Sequence, residues 1–255
     1  MRWVRLAAKN TWLRSLRDSL LGLAFPAACA SCGQEFATQT PSILLCTACL
    51  EQLSQGYENA CPRYAQPTSV VGGAQICGEC HKRPYRFSAA IAVGKYETLL
   101  RTLILRAKSG RDDALTIALG QLAAQRWLLQ PAPPALDGIV AVPLSGLRRI
   151  TRPANAAEVL SEAVSQQLRV PMLNGVLRFR RNIRRQTDLN RAQRARNVRG
   201  AMATSTTYDI TGAHLLLVDD VFTTGATADE ATRALLTAGA AMVSVLVIAR
   251  GAGLE

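Results

Sequence analysis

Two groups of residues in this 255-residue chain carry chemistry in their types and spacing. The first is Asp219-Asp220-Val221-Phe222-Thr223-Thr224-Gly225-Ala226-Thr227, which follows the apolar run Leu215-Leu216-Leu217-Val218. A hydroxyl- and glycine-rich turn that opens a helix offers backbone N–H groups, Thr hydroxyls and the positive end of the helix dipole to a phosphate. Gly225 allows close backbone approach. Two carboxylates just ahead of the turn would repel that phosphate unless they face another part of the ligand, such as sugar hydroxyls or a bound Mg2+. The combination therefore specifies a sugar phosphate better than a free phosphate. The Gly-Lys-Ser/Thr of a P-loop is missing, which argues against nucleotide hydrolysis.

The second group is the cysteines. Cys29-x-x-Cys32 and Cys46-x-x-Cys49 are close pairs separated by 13 residues, a spacing near that of tetrahedral four-cysteine zinc sites. With a cytoplasmic location expected, structural Zn2+ suits them better than disulfides. Cys61 and Cys77-x-x-Cys80 follow, with Tyr64 where a fourth thiol would complete another set. Two readings stay open there: a second metal site completed by His81 or an outside ligand, or a degraded site kept for packing.

The elements that must position these groups come from hydrophobic periodicity. Residues 29–85 hold all seven cysteines, many turn formers and little apolar pattern, so a metal rather than a core is expected to fold them. From residue 88 onward, strands are expected at 89–93, 139–142, 176–179, 215–218 and 242–249. Helices are expected at 99–108, 115–129, 155–168 and 228–238. Strands alternating with helices, several of them continuous apolar runs, imply an α/β fold with a parallel sheet covered on both faces. No internal repeat is evident. His214 is expected at the surface, and neither it nor His81 is assigned as a general base.

Composition narrows the classes. Apolar residues at 49% and charged residues at 19% exclude a wholly disordered, collagen-like or coiled-coil chain. No uninterrupted apolar run reaches membrane-spanning length. The net charge of +12 is concentrated in two tracts. Residues 1–28 read as a basic amphipathic helix packed on the body, and Asp18 interrupts the run a secretory signal would need. Residues 178–199 carry nine arginines against Asp188. Arg180, Arg181, Arg184, Arg185, Arg191 and Arg194 are the candidates for nucleic-acid phosphates, against the alternative of a solvated loop.

The segment from Leu215 to Thr227 resembles the phosphoribosyl pyrophosphate (PRPP) signature of type I phosphoribosyltransferases. The chain more widely, over about residues 20–250, resembles the ComF family of competence-associated, phosphoribosyltransferase-like proteins. That likeness rests on the cysteine pairs, on Tyr96 through Lys108, on Val142-Pro143-Leu144, on Gln186, Arg194 and Asn197-Val198-x-Gly200, and on the signature. It implies a type I phosphoribosyltransferase-like parallel sheet flanked by helices, with a small N-terminal Cys-rich zinc-binding module at 29–85 and the main domain at 86–255. It assigns Asp219 and Asp220, also the candidate catalytic pair, to the ribose hydroxyls. Thr223, Thr224, Gly225, Ala226 and Thr227 go to the 5-phosphate, Arg148 and Arg152 to the pyrophosphate, and Mg2+ to a bridge between pyrophosphate and ribose. The chain departs from the family at Arg152-Pro153-Ala154-Asn155-Ala156, where Arg-Gly-Phe-Asn-Gln is usual, and at Tyr64.

Three functions follow as expectations. The first is a PRPP-binding protein that handles incoming single-stranded DNA with DNA-uptake partners. The second is an active phosphoribosyltransferase of nucleotide salvage. The third is a zinc-ribbon adaptor with a vestigial sugar-phosphate site.

Overall fold

The computed structural model describes residues 27–36, 42–54, 57, 60–67, 77, 84–144, 155–183 and 190–251. Residues 1–26 of the expected N-terminal helix, and with them Cys80, His81, Arg148, Arg152, Arg184 and Arg185, lie outside the described residues. In chain order the elements are α1 (Thr47–Ser54), β1 (Ala89–Lys95), α2 (Thr98–Ala107), α3 (Asp113–Leu128) and β2 (Gly138–Ala141). There follow α4 (Ala156–Leu168), β3 (Leu177–Phe179), α5 (Arg191–Val198) and β4 (Met202–Thr204). The last three are β5 (His214–Phe222), α6 (Ala226–Thr237) and β6 (Met242–Arg250).

The four apolar runs pair into one all-parallel sheet in the order β1-β6-β5-β2. Because side chains alternate along a strand, Leu216, Val218, Leu246 and Ile248 enter one core with Leu103, Leu115, Leu119 and Leu160 of α2, α3 and α4. Leu215, Leu217, Val243, Val245 and Val247 enter the other, with Ala231 and Leu235 of α6. Burial on both faces is why these runs contain almost no polar residue.

Three local features differ from the periodicity. Residues 177–179 do not join the sheet. They form an antiparallel pair with β4, a three-residue strand too short to show alternation. The arginine tract, read as a loop, contains α5, which starts at an Asn190/Gln193 capping box. Strand β5 continues through the acidic pair to Phe222, because β6 runs alongside it as far as Arg250.

The cysteine region shows an internal repeat, correcting the expectation of none. Cys29 N–H donates to Gln34 O and Cys61 N–H to Gln66 O, both at 2.8 Å. The flanking bridges Ala28–Glu35 and Ala60–Pro67 correspond in the same way. Cys46 N–H donates to Cys29 Sγ at 3.3 Å, and Cys77 N–H to Cys61 Sγ at 3.4 Å. Divergence hides the repeat in the sequence: its second copy has Tyr64 for Cys32 and Ala65 for Gly33, Ala65 keeping a positive φ of 50° where Gly33 has 78°. The two knuckles share the body's cores. Cys29, Leu45, Cys49 and Leu53 pack with α2 and α3, whereas Tyr57, Cys61, Tyr64 and Ala65 pack on the α6 side. At β1 this approach leaves no room for a side chain: a Cβ on Gly94 would lie 2.7 Å from the Leu53 carbonyl oxygen.

His214 is not a surface residue. It is 9% exposed at the start of β5, with Nδ1 at 2.9 Å from Ala135 O and Nε2 at 2.9 Å from Ser244 Oγ. Burial lowers its pKa below the ordinary 6.5, against the raising influence of Ala135 and Asp137. The folded state thus binds the proton less well than the unfolded chain does. Stability tied to this group is present above pH 6.5 and is lost as pH falls through the depressed folded value. The drop in urea midpoint between pH 7.5 and pH 5.5 is expected to be smaller in His214→Asn than in the parent chain. An equal drop would show that another group carries the pH dependence.

Candidate sugar-phosphate site and zinc ribbon

The acidic pair and the Thr-Thr-Gly turn meet at the C-terminal end of β5, the end of a parallel sheet where ligands are usually held. They line a cavity of about 430 Å³ together with Lys108, Asn155 and Arg194. That size falls in the range of roughly 300–1,000 Å³ for small-molecule sites. Gly225 is the N-cap of α6 with φ 73°, in the left-handed region. A Cβ there would sit 2.8 Å from the Phe222 ring and 3.1 Å from that of Tyr85. Glycine is therefore required by conformation and by space.

Asp219 Oδ1 accepts from Asp220 N–H at 2.8 Å, which ties the first carboxylate to the backbone of the second. Asp220 is paired with Lys108 Nζ at 2.9 Å. Arg194 is 7% exposed and donates to Thr223 Oγ1 at 3.2 Å. Sequence reasoning groups Arg194 with the nucleic-acid arginines; the structure places its guanidinium at the Thr-Thr-Gly turn. Arg180 and Arg181 are exposed, and Arg181 donates to the carbonyls of Asn197 and Arg199. Arg191 opens α5.

Sequence reasoning assigned no role to Lys108 or Arg250. Lys108 follows the last turn of α2, and no local pattern connects it to the acidic pair. Arg250 ends an apolar strand, yet it is 4% exposed beneath the turn. Asn155 caps α4, accepting from Ala157 N–H and donating to Val142 O.

Cys29, Cys32, Cys46 and Cys49 bring their four sulfurs within 4.8 Å of one another. The Cys32 and Cys46 sulfurs are 3.8 Å apart. A tetrahedron with Zn–S near 2.3 Å has edges of about 3.8 Å, so the donor set fits Zn2+ in number, kind and spacing. Burial opposes ionisation of the Cys29 thiol, but N–H groups of Cys32, Cys46 and Ser31 outweigh it and bring it down to about 6. Burial pushes the Cys49 thiol up to about 12; Ser31 offsets this in part and the neighbouring thiols add to it. Without a cation the cluster cannot carry four thiolates, and a coordinated metal supplies that charge. Cys61 and Cys77 are in reach of each other in the second knuckle, and Tyr64 there contributes no thiol.

No helix of the described residues is long and apolar enough to cross a membrane. A double zinc ribbon model matches residues 20–81, and a phosphoribosyl transferase domain model matches residues 152–255. The DNA utilization protein YhgH of Salmonella typhi is 28% identical over 232 residues, covering 89% of this chain and 99% of the relative. Competence protein F of Haemophilus influenzae is 29% identical over 214 residues (81% and 90%). Competence protein ComFC of Bacillus subtilis is 25% identical over 217 residues (82% and 85%). The solved glutamine PRPP amidotransferase of B. subtilis aligns with 51% of this chain and 25% of its own at 21% identity and a TM-score of 0.35. The two domain matches fall, in chain order, on the cysteine knuckles and on the part of the α/β body that contains β5, the acidic pair, α6 and β6. Over 81–89% of its length the chain is thus similar to competence and DNA-utilization proteins, and it carries a double zinc ribbon match ahead of a phosphoribosyl transferase domain match.

Proposed function

We propose that this chain binds PRPP with Mg2+ in the cavity at the end of β5 and acts in the cytoplasm in the handling of incoming single-stranded DNA, together with DNA-uptake proteins. The observation that carries the first part is that Asp219, Asp220 and the turn at residues 223–227 line one cavity. In this reading residues 29–85 are the zinc module and residues 86–255 the phosphoribosyl-binding body.

Thr223, Thr224, Gly225, Ala226 and Thr227 would wrap the 5-phosphate at the N-terminus of α6. Asp219 and Asp220 would take the ribose hydroxyls, and Lys108 must release Asp220 for that contact. A hard cation suits carboxylates combined with ligand oxygens, so the same pair fits Mg2+. When bound, Mg2+ neutralises pyrophosphate charge next to the ribose. Arg194, Arg148 and Arg152 are assigned to the phosphate oxygens, where guanidinium forks match the geometry. Arg180, Arg181, Arg184, Arg185 and Arg191 remain for a DNA backbone, a role supported by the names of the competence and DNA-utilization relatives.

Calorimetric titration of the zinc-loaded protein with PRPP and Mg2+ tests the site. Saturable binding is expected, weakened at least a hundredfold, or ~2.7 kcal/mol, in Asp219→Ala/Asp220→Ala. Binding that survives in that variant would remove the acidic pair from the site. Pyrophosphate release on adding nucleobases to the same mixture would establish transfer activity.

A further inference from the structure

Tyr64 stands where the repeat places a zinc ligand, but its side chain has been turned to another use. Cys32, its counterpart, is exposed, whereas Tyr64 is 0% exposed. Its ring stacks on Tyr85 with centroids 5.2 Å apart and meets the Phe222 ring edge-on at 5.3 Å. The Arg250 guanidinium carbon lies 4.3 Å above the Tyr64 ring centroid. A cation over an aromatic face is held most firmly when water is excluded, as it is here.

Arg250 in turn grips the turn's backbone. Its NH1 donates to Phe222 O at 3.1 Å, to Thr223 O at 2.5 Å and to Gly251 O. Tyr85 OH donates to Thr224 O at 3.1 Å. Three successive carbonyls, those of residues 222, 223 and 224, are thus drawn to one side. In a planar trans peptide the N–H points opposite to the C=O of the same unit. The N–H groups of Thr223, Thr224 and Gly225 consequently turn away from Arg250 and Tyr85, toward the cavity that these three residues line.

We propose that Tyr64 is a positioning residue: it orients Arg250 and Tyr85, which aim the amides of the turn at the ligand's phosphate. The second knuckle therefore supports the sugar-phosphate site where the first holds zinc. The ligand half of this inference rests on the proposed phosphate role of the turn; the backbone half does not.

The test uses the full, zinc-loaded chain with two readouts. One is hydrogen exchange without ligand at the amides of Gly251 and Asp229, which donate to Phe222 O and Gly225 O at 2.8 Å each. The other is PRPP–Mg2+ calorimetry. The Tyr64 hydroxyl has no hydrogen-bond partner among the described residues, so Tyr64→Phe is expected to match the parent chain in both. Tyr64→Leu should raise exchange at both amides at least tenfold and weaken PRPP at least tenfold, with zinc content unchanged. Tyr85→Phe, which keeps the stacked ring and removes the contact to Thr224, should speed exchange at Asp229 severalfold and serves as the milder variant if Tyr64→Leu does not fold. Unchanged exchange in Tyr64→Leu, or in Tyr85→Phe where the former is unfolded, would overturn the inference. Raised exchange in Tyr64→Leu, together with a parent chain that binds no PRPP, would uphold the buttress and refute the phosphate reading alone.

Discussion

Cys29→Ser/Cys49→Ser is expected to lose its zinc and to melt at least ~10 °C below the parent chain. Zinc bound by four thiolates contributes about 10–16 kcal/mol of apparent binding free energy, and in a module of this kind binding is coupled to folding. The loss should reach beyond the ribbon. Cys29, Ile43, Leu45, Cys49 and Leu53 are buried in the same core as Leu103, Leu115 and Leu119. Arg106 of α2 donates to Ala30 O at 3.1 Å and to Ser31 O at 3.0 Å, and pairs with Asp112, the N-cap of α3, at 2.6 Å. Even ~3–5 kcal/mol transmitted to the body corresponds to roughly 10 °C in a domain of this size. Metal analysis with thermal melts, with and without chelator, provides the measurement. A zinc-free variant that melts with the parent chain would show that the ribbon and the sheet are energetically separate. Acid should release the same zinc from the parent chain, since protons compete for each thiolate.

Gly225→Val is expected to abolish PRPP binding, at least a hundredfold, while leaving the sheet folded. The residue has φ 73°, where a β-branched side chain is strained by about 1–2 kcal/mol or more. Its Cβ would also lie 2.8 Å from the Phe222 ring, which the neighbouring Tyr64 and Phe87 rings prevent from moving aside. The turn must then change its course just ahead of α6. Gly225→Ala carries the smaller Cβ into the same contact and should fall between the two. Calorimetry of the two variants, with far-UV dichroism to confirm the fold, decides the matter. Full PRPP affinity in Gly225→Val would mean that the turn does not hold the ligand.

The parallel sheet and its four strands were legible because each strand is a continuous apolar run between helices of 3.6-residue period. The zinc set was legible because its ligands are paired along the chain, and metal geometry constrains that spacing. The Thr-Thr-Gly turn was legible because a glycine and hydroxyl residues stand contiguously between an apolar strand and a helix. Elements whose reason lies elsewhere in the fold were not. β4 is a short strand with a distant partner, α5 is a helix of low hydropathy among arginines, and the repeat of the knuckles is hidden once its ligands diverge.

The sequence by itself singled out the groups that the proposed function uses: four thiols for a metal, two carboxylates and a hydroxyl-rich turn for a sugar phosphate, and a sheet to carry them. Each of those signals is local, so neighbouring residues suffice to express it. The tertiary structure alone decided what stands around them. It set Lys108 against Asp220, Arg194 against Thr223, and Tyr64 and Arg250 beneath the turn. These pairs join residues far apart in the chain, and their contact follows from strand order and the close packing of the two cores, which no local pattern of residue types encodes.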